Sequence, residues 1–562
     1  MRTPARQAKP AAAQLKTWPA PRSGWIANTN LAQPGARNPD GTALAGAAVL
    51  DNMFPTATGV KLTRGSDTYA TLGAGASSVT SLFTYSAGGA EFMFGATETT
   101  IYDITVVLQP NNAVIATEND DELATENDDL IGWGSTDGLD VVTGQTGGNW
   151  VSVQFATAGG VFLRLVNGTD TPLVFDGSAF DTLPALTFAA PDEAKDPKVL
   201  SYVWAYKQRL FFLENDSLDA WYLDVNLIGG ELKKLPLGGV FELGGSLHFG
   251  ASWSLDSGNQ GGLSEQCIFV TTKGEVAVFQ GSNPSDATDW GKVGVYRIGR
   301  PLGPKAWIRD GGDLIFATSI GYVRLSEAIK RELAALGPSA VSYPIEVAWN
   351  QAVDSRAAPW HCAVWPSKQM AVVALPPTDG QIAAMYLANV RTGAWCRRLN
   401  WEGTCLLLFK ERLFFGTNEG TVVEANVTGL DRGQPYAGVC VPLFDQLDAP
   451  GSLKINEMVH VQGLAPVAVN VQTSIQRDYV VSLPPAPPAS PVPVGNQWGA
   501  GIWGQSVWGV EPDLRPVRQW NAGAGEGYSL SPAIQLTSGA IVPLDYELIS
   551  IENTYRVAKV IS

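Results

Sequence analysis

Short apolar runs that end in aromatics, each followed by a brief polar turn and a second apolar run, recur along this chain. Glu91-Phe92-Met93-Phe94-Gly95-Ala96-Thr97 leads to Thr100-Ile101-Tyr102. Arg209-Leu210-Phe211-Phe212 leads through Asn215-Asp216 to Ala220-Trp221-Tyr222, and Cys267-Ile268-Phe269-Val270 leads through Lys273-Gly274 to Val276-Ala277-Val278-Phe279. Asp313-Leu314-Ile315-Phe316 with Gly321-Tyr322-Val323, and Arg412-Leu413-Phe414-Phe415 with Gly420-Thr421-Val422-Val423, repeat the phrase. β-Branched and aromatic runs around a Gly or Asn/Asp turn predict a β-hairpin at each place. A hairpin unit returning at roughly 45–70 residues points to radial repetition, since four-stranded blades of about 40–50 residues are the propeller period. The expected fold is all-β, a propeller with an additional C-terminal β-domain and an extended N-terminal arm.

The arm is assigned to residues 1–44, which are rich in Pro, Ala and Asn and lack a sustained period. Trp18 and Trp25 within it predict docking on the chain's own body or on a neighbour. The first firm strand signals are Ala48-Val49-Leu50 and Val60-Lys61-Leu62, and the propeller is placed at residues 45–429. An acidic insert at about 107–135 contains a local duplication, Ala-Thr-Glu-Asn-Asp-Asp at residues 116–121 returning at 124–129 with a shift of eight. Its spacing does not fit an EF-hand loop, and a solvated acidic loop without metal is expected. One helix is predicted over residues 326–336, with Leu325, Ile329, Leu333 and Leu336 on one face, Ser326 as N-cap and Gly337-Pro338 as stop. Residues 430–562 form the C-terminal β-domain, where Val467-Ala468-Val469-Asn470-Val471 alternates. A proline-rich run from Leu483 to Pro493 reads as a stiff extended segment. Trp498, Trp503 and Trp508, each followed by Gly, fit neither a helix nor a strand period and suggest a ribbon presenting three indoles to a core or a partner.

Composition narrows the chemistry. The 562-residue chain is too long for one ordinary core. Its net charge of −16 makes it a poor candidate for gripping nucleic acid by phosphate neutralisation. Five scattered cysteines without a CxxC pair indicate buried free thiols rather than a zinc site or disulfide framework. The basic N-terminus has no apolar stretch behind it, and no run approaches the ~18 apolar residues of a membrane helix, so synthesis in a cytoplasm is expected. His248, His361 and His460 are far apart and fit no HExxH or HxH pattern. No GxSxG elbow, phosphate loop or Rossmann fingerprint occurs, and Gly303, Gly311 and Gly312 read as turn glycines. Asp216, Asp219, Asp256 and Asp313 sit at turns, where Asp bonds its own backbone, and nothing selects a glycosidase-like pair among them. No catalytic, cofactor-binding or metal-ligating residue is assigned, and no cofactor is expected.

The stretch Leu50-Asp51-Asn52-Met53-Phe54-Pro55, continuing through Gly59-Val60-Lys61-Leu62-Thr63-Arg64-Gly65, resembles the opening of the tail hub, or nozzle, proteins of short-tailed bacteriophages. These are packaged-DNA stabilisation proteins. Trp204-Ala205-Tyr206-Lys207-Gln208-Arg209-Leu210-Phe211-Phe212 is similar to their blade motif, echoed at Phe409-Lys410-Glu411-Arg412-Leu413-Phe414-Phe415. Ser342-Tyr343-Pro344 and Asn389-Val390-Arg391-Thr392-Gly393-Ala394-Trp395 match further strand and turn segments. The likeness covers roughly residues 45–430. It implies a structural, non-enzymatic virion protein made in the host bacterial cytoplasm. It also implies a ring, usually of six copies, below the portal and adaptor, contacting tail fibres or spikes. Such a ring encloses viral DNA without sequence-specific binding, retains it and allows its ejection. The rival readings are a glycan-active or glycan-binding propeller and a cellular interaction propeller.

Overall fold

The computed structural model describes residues 12–33, 44–73, 77–105, 138–255, 264–357, 359–490 and 514–558. The acidic duplication, Trp498, Trp503, Trp508 and Asp256 lie outside the described residues. Each of the five repeated phrases is an antiparallel hairpin, as their alternation dictates. The turn at Lys273-Gly274 shows why glycine sits there: Gly274 has φ of +85°, which a side chain would resist.

The hairpins build seven sheets around one axis. Their innermost strands are Ser81–Ala87, Val151–Thr157, Leu200–Tyr206, Leu247–Leu255, Trp307–Asp310, His361–Trp365 and Cys405–Phe409, and they neighbour one another in that order until the last returns to the first. From the axis outward the sheets meander antiparallel, four strands in most blades and three in the fifth, Trp307–Arg324, while the third carries a fifth, parallel edge strand, Leu186–Phe188. The seventh blade is completed by a strand from the other end of the chain. Asp67–Thr71 pairs with Thr421–Glu424, with Ala70 opposite Val422, so the ring closes by non-local pairing. The protein is a seven-bladed β-propeller.

The core lies between blades and is aromatic. Trp204 of blade three lies on the next blade with Phe211 and Phe269 around it. A Cβ at Gly250, on the facing strand, would come within 2.5 Å of that indole, so the strand carries glycine where the ring needs its space. Phe94, Phe175 and Phe180 fill the joint between blades one and two. Of the described tryptophans only Trp307 and Trp520 are not buried, so the tryptophan surplus is spent mainly inside the subunit.

The chain's two ends share the second β-domain. Lys454–Ala465 pairs with both Arg515–Gly527 and Glu547–Val557, and Gln14–Pro19 of the arm adds to the last of these. Leu530–Ser538 links Gln472–Arg477 to Tyr436–Pro442, which continues through Ala47–Asp51 to the outer strand of blade six. The strands between residues 47 and 62, placed by sequence at the start of the propeller, therefore belong to the second domain's sheets. Trp18 and Trp25 dock on the chain's own body: Trp18 Nε1 donates to the Leu443 carbonyl, and Trp25 packs on Tyr386 beneath the Arg397 guanidinium.

Three sequence expectations need correction. The helix expected over residues 326–336 is a single turn, Leu325–Ala328, followed by 3-10 turns. Ser326 is not its cap, because its hydroxyl donates instead to Asp313 at 2.6 Å. A ten-residue helix, Glu346–Ser355, occurs where none was expected. Residues 467–471 are not a strand but an irregular link that buries Val469 and Val471. The described part of the proline-rich run, residues 483–490, forms neither helix nor strand and packs on the Leu530–Ser538 strand, where Thr537 donates its hydroxyl to the Pro487 carbonyl at 2.6 Å.

Candidate functional site

The loops entering the innermost strands converge on the propeller axis and border an open-mouthed cavity of about 300 Å³. All seven blades contribute walls, among them Thr80, Asn149, Ser201, Ser246, Lys305, His361 and Thr404. A second axial cavity of about 420 Å³ lies along the strands themselves, bordered by Gln154, Tyr202 and Trp307. The two share Val151, Lys305 and His361, which therefore form the waist of the channel.

Lys305 precedes the inner strand of blade five, and its Nζ donates to the Trp150 carbonyl at 2.8 Å. Burial lowers its pKa, and the charges acting on it include no carboxylate. His361 opens the inner strand of blade six. Burial first, and the adjacent Lys305 second, push its pKa down to about 3. Its Nδ1 accepts the Leu406 backbone N–H at 3.0 Å. A neutral imidazole held this way carries its proton on Nε2. Burial also pushes His248, in blade four, down to about 4. The three side chains thus present one ammonium and two neutral imidazoles, and among the described residues no carboxylate orients either ring.

The fold brings His248 and His361 together although they are far apart in sequence. The available signal was positional: both stand at the start of an innermost strand, as Lys305 nearly does. The carboxylates weighed as candidates are not gathered. Asp216 borders the cavity mouth with φ of +51°, Asp219 pairs with Lys234 at 2.8 Å, and Asp313 accepts from Ser326. Among the described residues no group of three or more His, Cys, Asp or Glu could hold a metal ion, and no helix is long and apolar enough to cross a membrane. The five cysteines are free and buried, as expected, and burial pushes the Cys267, Cys362, Cys396, Cys405 and Cys440 thiols up.

A second surface stands on the C-terminal domain. On the outward face of the six-stranded sheet, Ala522, Met458, Thr554 and Leu15 form one cross-strand row. Trp520, His460, Glu552 and Thr17 form the next. Trp520 stacks on His460 with centroids 4.3 Å apart, and His460 Nδ1 lies 2.9 Å from Glu552. Trp520 is 50% exposed, Met458 40% and Leu15 59%, an apolar band that the subunit's own described residues do not cover.

The residues resembling the nozzle opening have a structural place. Asn52, at φ of +57°, donates from its side chain to the Ala437 carbonyl and accepts from Arg398 at 2.8 Å and Leu399 N–H at 2.7 Å. Arg64 grips Asp545 through two hydrogen bonds of 2.9 and 2.8 Å. A Cβ at Gly65 would meet the Leu430 carbonyl at 1.9 Å. The segment is the joint between propeller and second domain.

No family model matches the chain, and no curated protein matches it. Among solved structures it is similar to BBS1N in complex with ARL6DN, at 10% identity and TM-score 0.37 over 66% of this chain and 97% of that one. The Myceliophteria thermophila Cps50 (Swd1) β-propeller domain aligns at 11% identity and TM-score 0.34, over 65% and 100%. The computationally designed Ika8 protein aligns at 11% and 0.33, over 64% and 100%. At such identities the likeness concerns the fold alone.

Proposed function

We propose that this chain is a structural subunit of a short-tailed phage tail, a hub or nozzle protein that assembles as a ring around the DNA path. The observation that carries the reading is the joint built by Asn52, Arg64 and Gly65. The motif that resembles the nozzle opening coincides with the residues that fasten the wheel to the second domain. The blade motifs coincide likewise with tight hairpins. Lys207-Gln208 and Lys410-Glu411 occupy left-handed turns, and Arg209 reaches the Leu223 and Ser282 carbonyls.

Scale decides where DNA would run. The axial cavities of one wheel hold hundreds of Å³ and are crossed by side chains, whereas the major groove of a duplex alone is about 12 Å wide. The conduit is therefore the space enclosed by several subunits, most simply six. A surface with net charge −16 suits walls that must not adhere to phosphates. The apolar band around Trp520 is the contact surface we assign to a neighbouring subunit or the adaptor, and no catalytic role is assigned.

The neighbouring genes test the reading cheaply. Portal, terminase and tail-fibre genes beside this one are expected, and a sugar-utilisation cluster in their place would contradict it. Co-expression with the adaptor should yield a sixfold complex, and a complex of another symmetry would refute the number.

A further inference from the structure

We infer that the axial cavity is a binding site for a small hydroxylated oxyanion, a sugar acid or a sugar phosphate. Four observations converge on one place. The cavity is concave and open to solvent at one end, and its volume of about 300 Å³ matches the lower range of small-molecule sites. Its waist carries a cation, the Lys305 ammonium, whose only hydrogen bond among the described residues is to the Trp150 carbonyl and which no described carboxylate neutralises. An ammonium has three donors, and a buried charge left without a counter-charge is costly, so an anion at the waist would relieve it. His361 adds an Nε2–H donor beside that cation, its tautomer fixed by the Leu406 N–H.

The upper wall selects for hydroxyls. The Asn149 and Asn215 side chains border the mouth and make no hydrogen bond within the described protein, and Ser246 lies beside them. Asp216 at the rim accepts hydrogen bonds but cannot neutralise an anion. Trp360 forms an apolar side, and its indole N–H has no acceptor among the described residues. A ligand with one anionic end at Lys305 and several hydroxyls toward the amides satisfies the donors and acceptors together. A bare inorganic anion reaches only the waist, and a neutral sugar leaves Lys305 unpaired. The site is independent of ring assembly, because every wall belongs to one subunit.

The test is titration calorimetry and thermal unfolding of the full chain at fixed ionic strength with glucuronate, glucose 6-phosphate, glucose and inorganic phosphate. Binding and a rise in Tm are expected with glucuronate or glucose 6-phosphate, and the stronger of the two identifies the anionic group. Lys305→Met should weaken that binding on the order of tenfold to a hundredfold. Should Lys305→Met fail to fold, Asn215→Ala removes only a rim amide and should weaken binding severalfold with the ligand-free Tm unchanged. No binding of either anionic sugar at about 10 mM would overturn the inference. So would glucose or phosphate binding as tightly, or wild-type affinity in the variants.

Discussion

Replacing Arg398 by methionine should unfold the joint between wheel and second domain. Arg398 is fully buried, and Asp431 is 5% exposed. The guanidinium lies 2.6 Å from the Asp431 carboxylate, donates to Asn52 Oδ1 at 2.8 Å and to the Leu399 carbonyl at 2.7 Å, and sits between the Trp401 and Tyr436 rings. The same Asp431 oxygen accepts from the Ser66 N–H and hydroxyl. Methionine keeps much of the volume and removes the charge, leaving a carboxylate in the interior with only neutral donors. Removing one partner of a buried pair costs about 3–5 kcal/mol. At ~2–4 °C per kcal/mol for units of this size, the loss in Tm is on the order of 6–20 °C. The intact pair is not an unmixed gain, because Asp431 Oδ2 and Arg398 Nε find no partner among the described residues. The double variant Arg398→Met, Asp431→Asn should therefore recover more than half of the single variant's loss. Urea unfolding of the four corners of this cycle gives the coupling directly. A single-variant loss below about 1 kcal/mol, or strictly additive losses, would refute the reasoning.

Gly250→Ala should lose roughly 1–3 kcal/mol, because the new methyl meets Trp204 at 2.5 Å; an unchanged urea midpoint would show that the indole yields. Replacing Lys410-Glu411 by Asn-Gly should raise stability by roughly 1–2 kcal/mol, since both residues hold positive φ, and a fall in midpoint would contradict the turn assignment. Stability should decline as pH falls below about 6.5. The unfolded imidazoles take up protons there, while folded His361 and His248 resist until about 3 and 4. The unfolded chain thus binds more protons across that window, each group giving at most about 1.4 kcal/mol per pH unit, and His361→Gln should flatten the slope. Trp520→Ala should leave the isolated subunit's Tm within about 1 °C, because the ring is half exposed, yet weaken adaptor or subunit association by about 2 kcal/mol or more; a normal assembly equilibrium would reassign that face.

The hairpins were legible because their period of two and their turns are local properties. The closure of the ring was not. Asp67–Thr71 meets Thr421–Glu424 across most of the chain, and no local pattern announces such a partner. The same holds for the sharing of the second domain between both chain ends, where Gln14–Pro19 pairs with Glu547–Val557. The helix at residues 326–336 failed for a physical reason. Its apolar stripe is real at Leu325 and Leu336, which are buried, but Leu333 is 40% exposed and Asp313 takes the proposed capping hydroxyl. Helix Glu346–Ser355 was missed because it buries only Ala348, Trp349 and Ala352, too sparse a stripe to stand out. His248, His361 and Lys305 join at the axis through the rotation of the blades, so sequence spacing hides them while their shared place near the inner strands' starts could have revealed them.

Electron microscopy of phage particles carrying this chain with a label tests the central claim most directly. Label is expected in the tail, immediately below the portal and adaptor, with six seven-bladed wheels arranged around the DNA path. Particles whose tails lack the label, or a tail ring whose subunits are not such wheels, would contradict it.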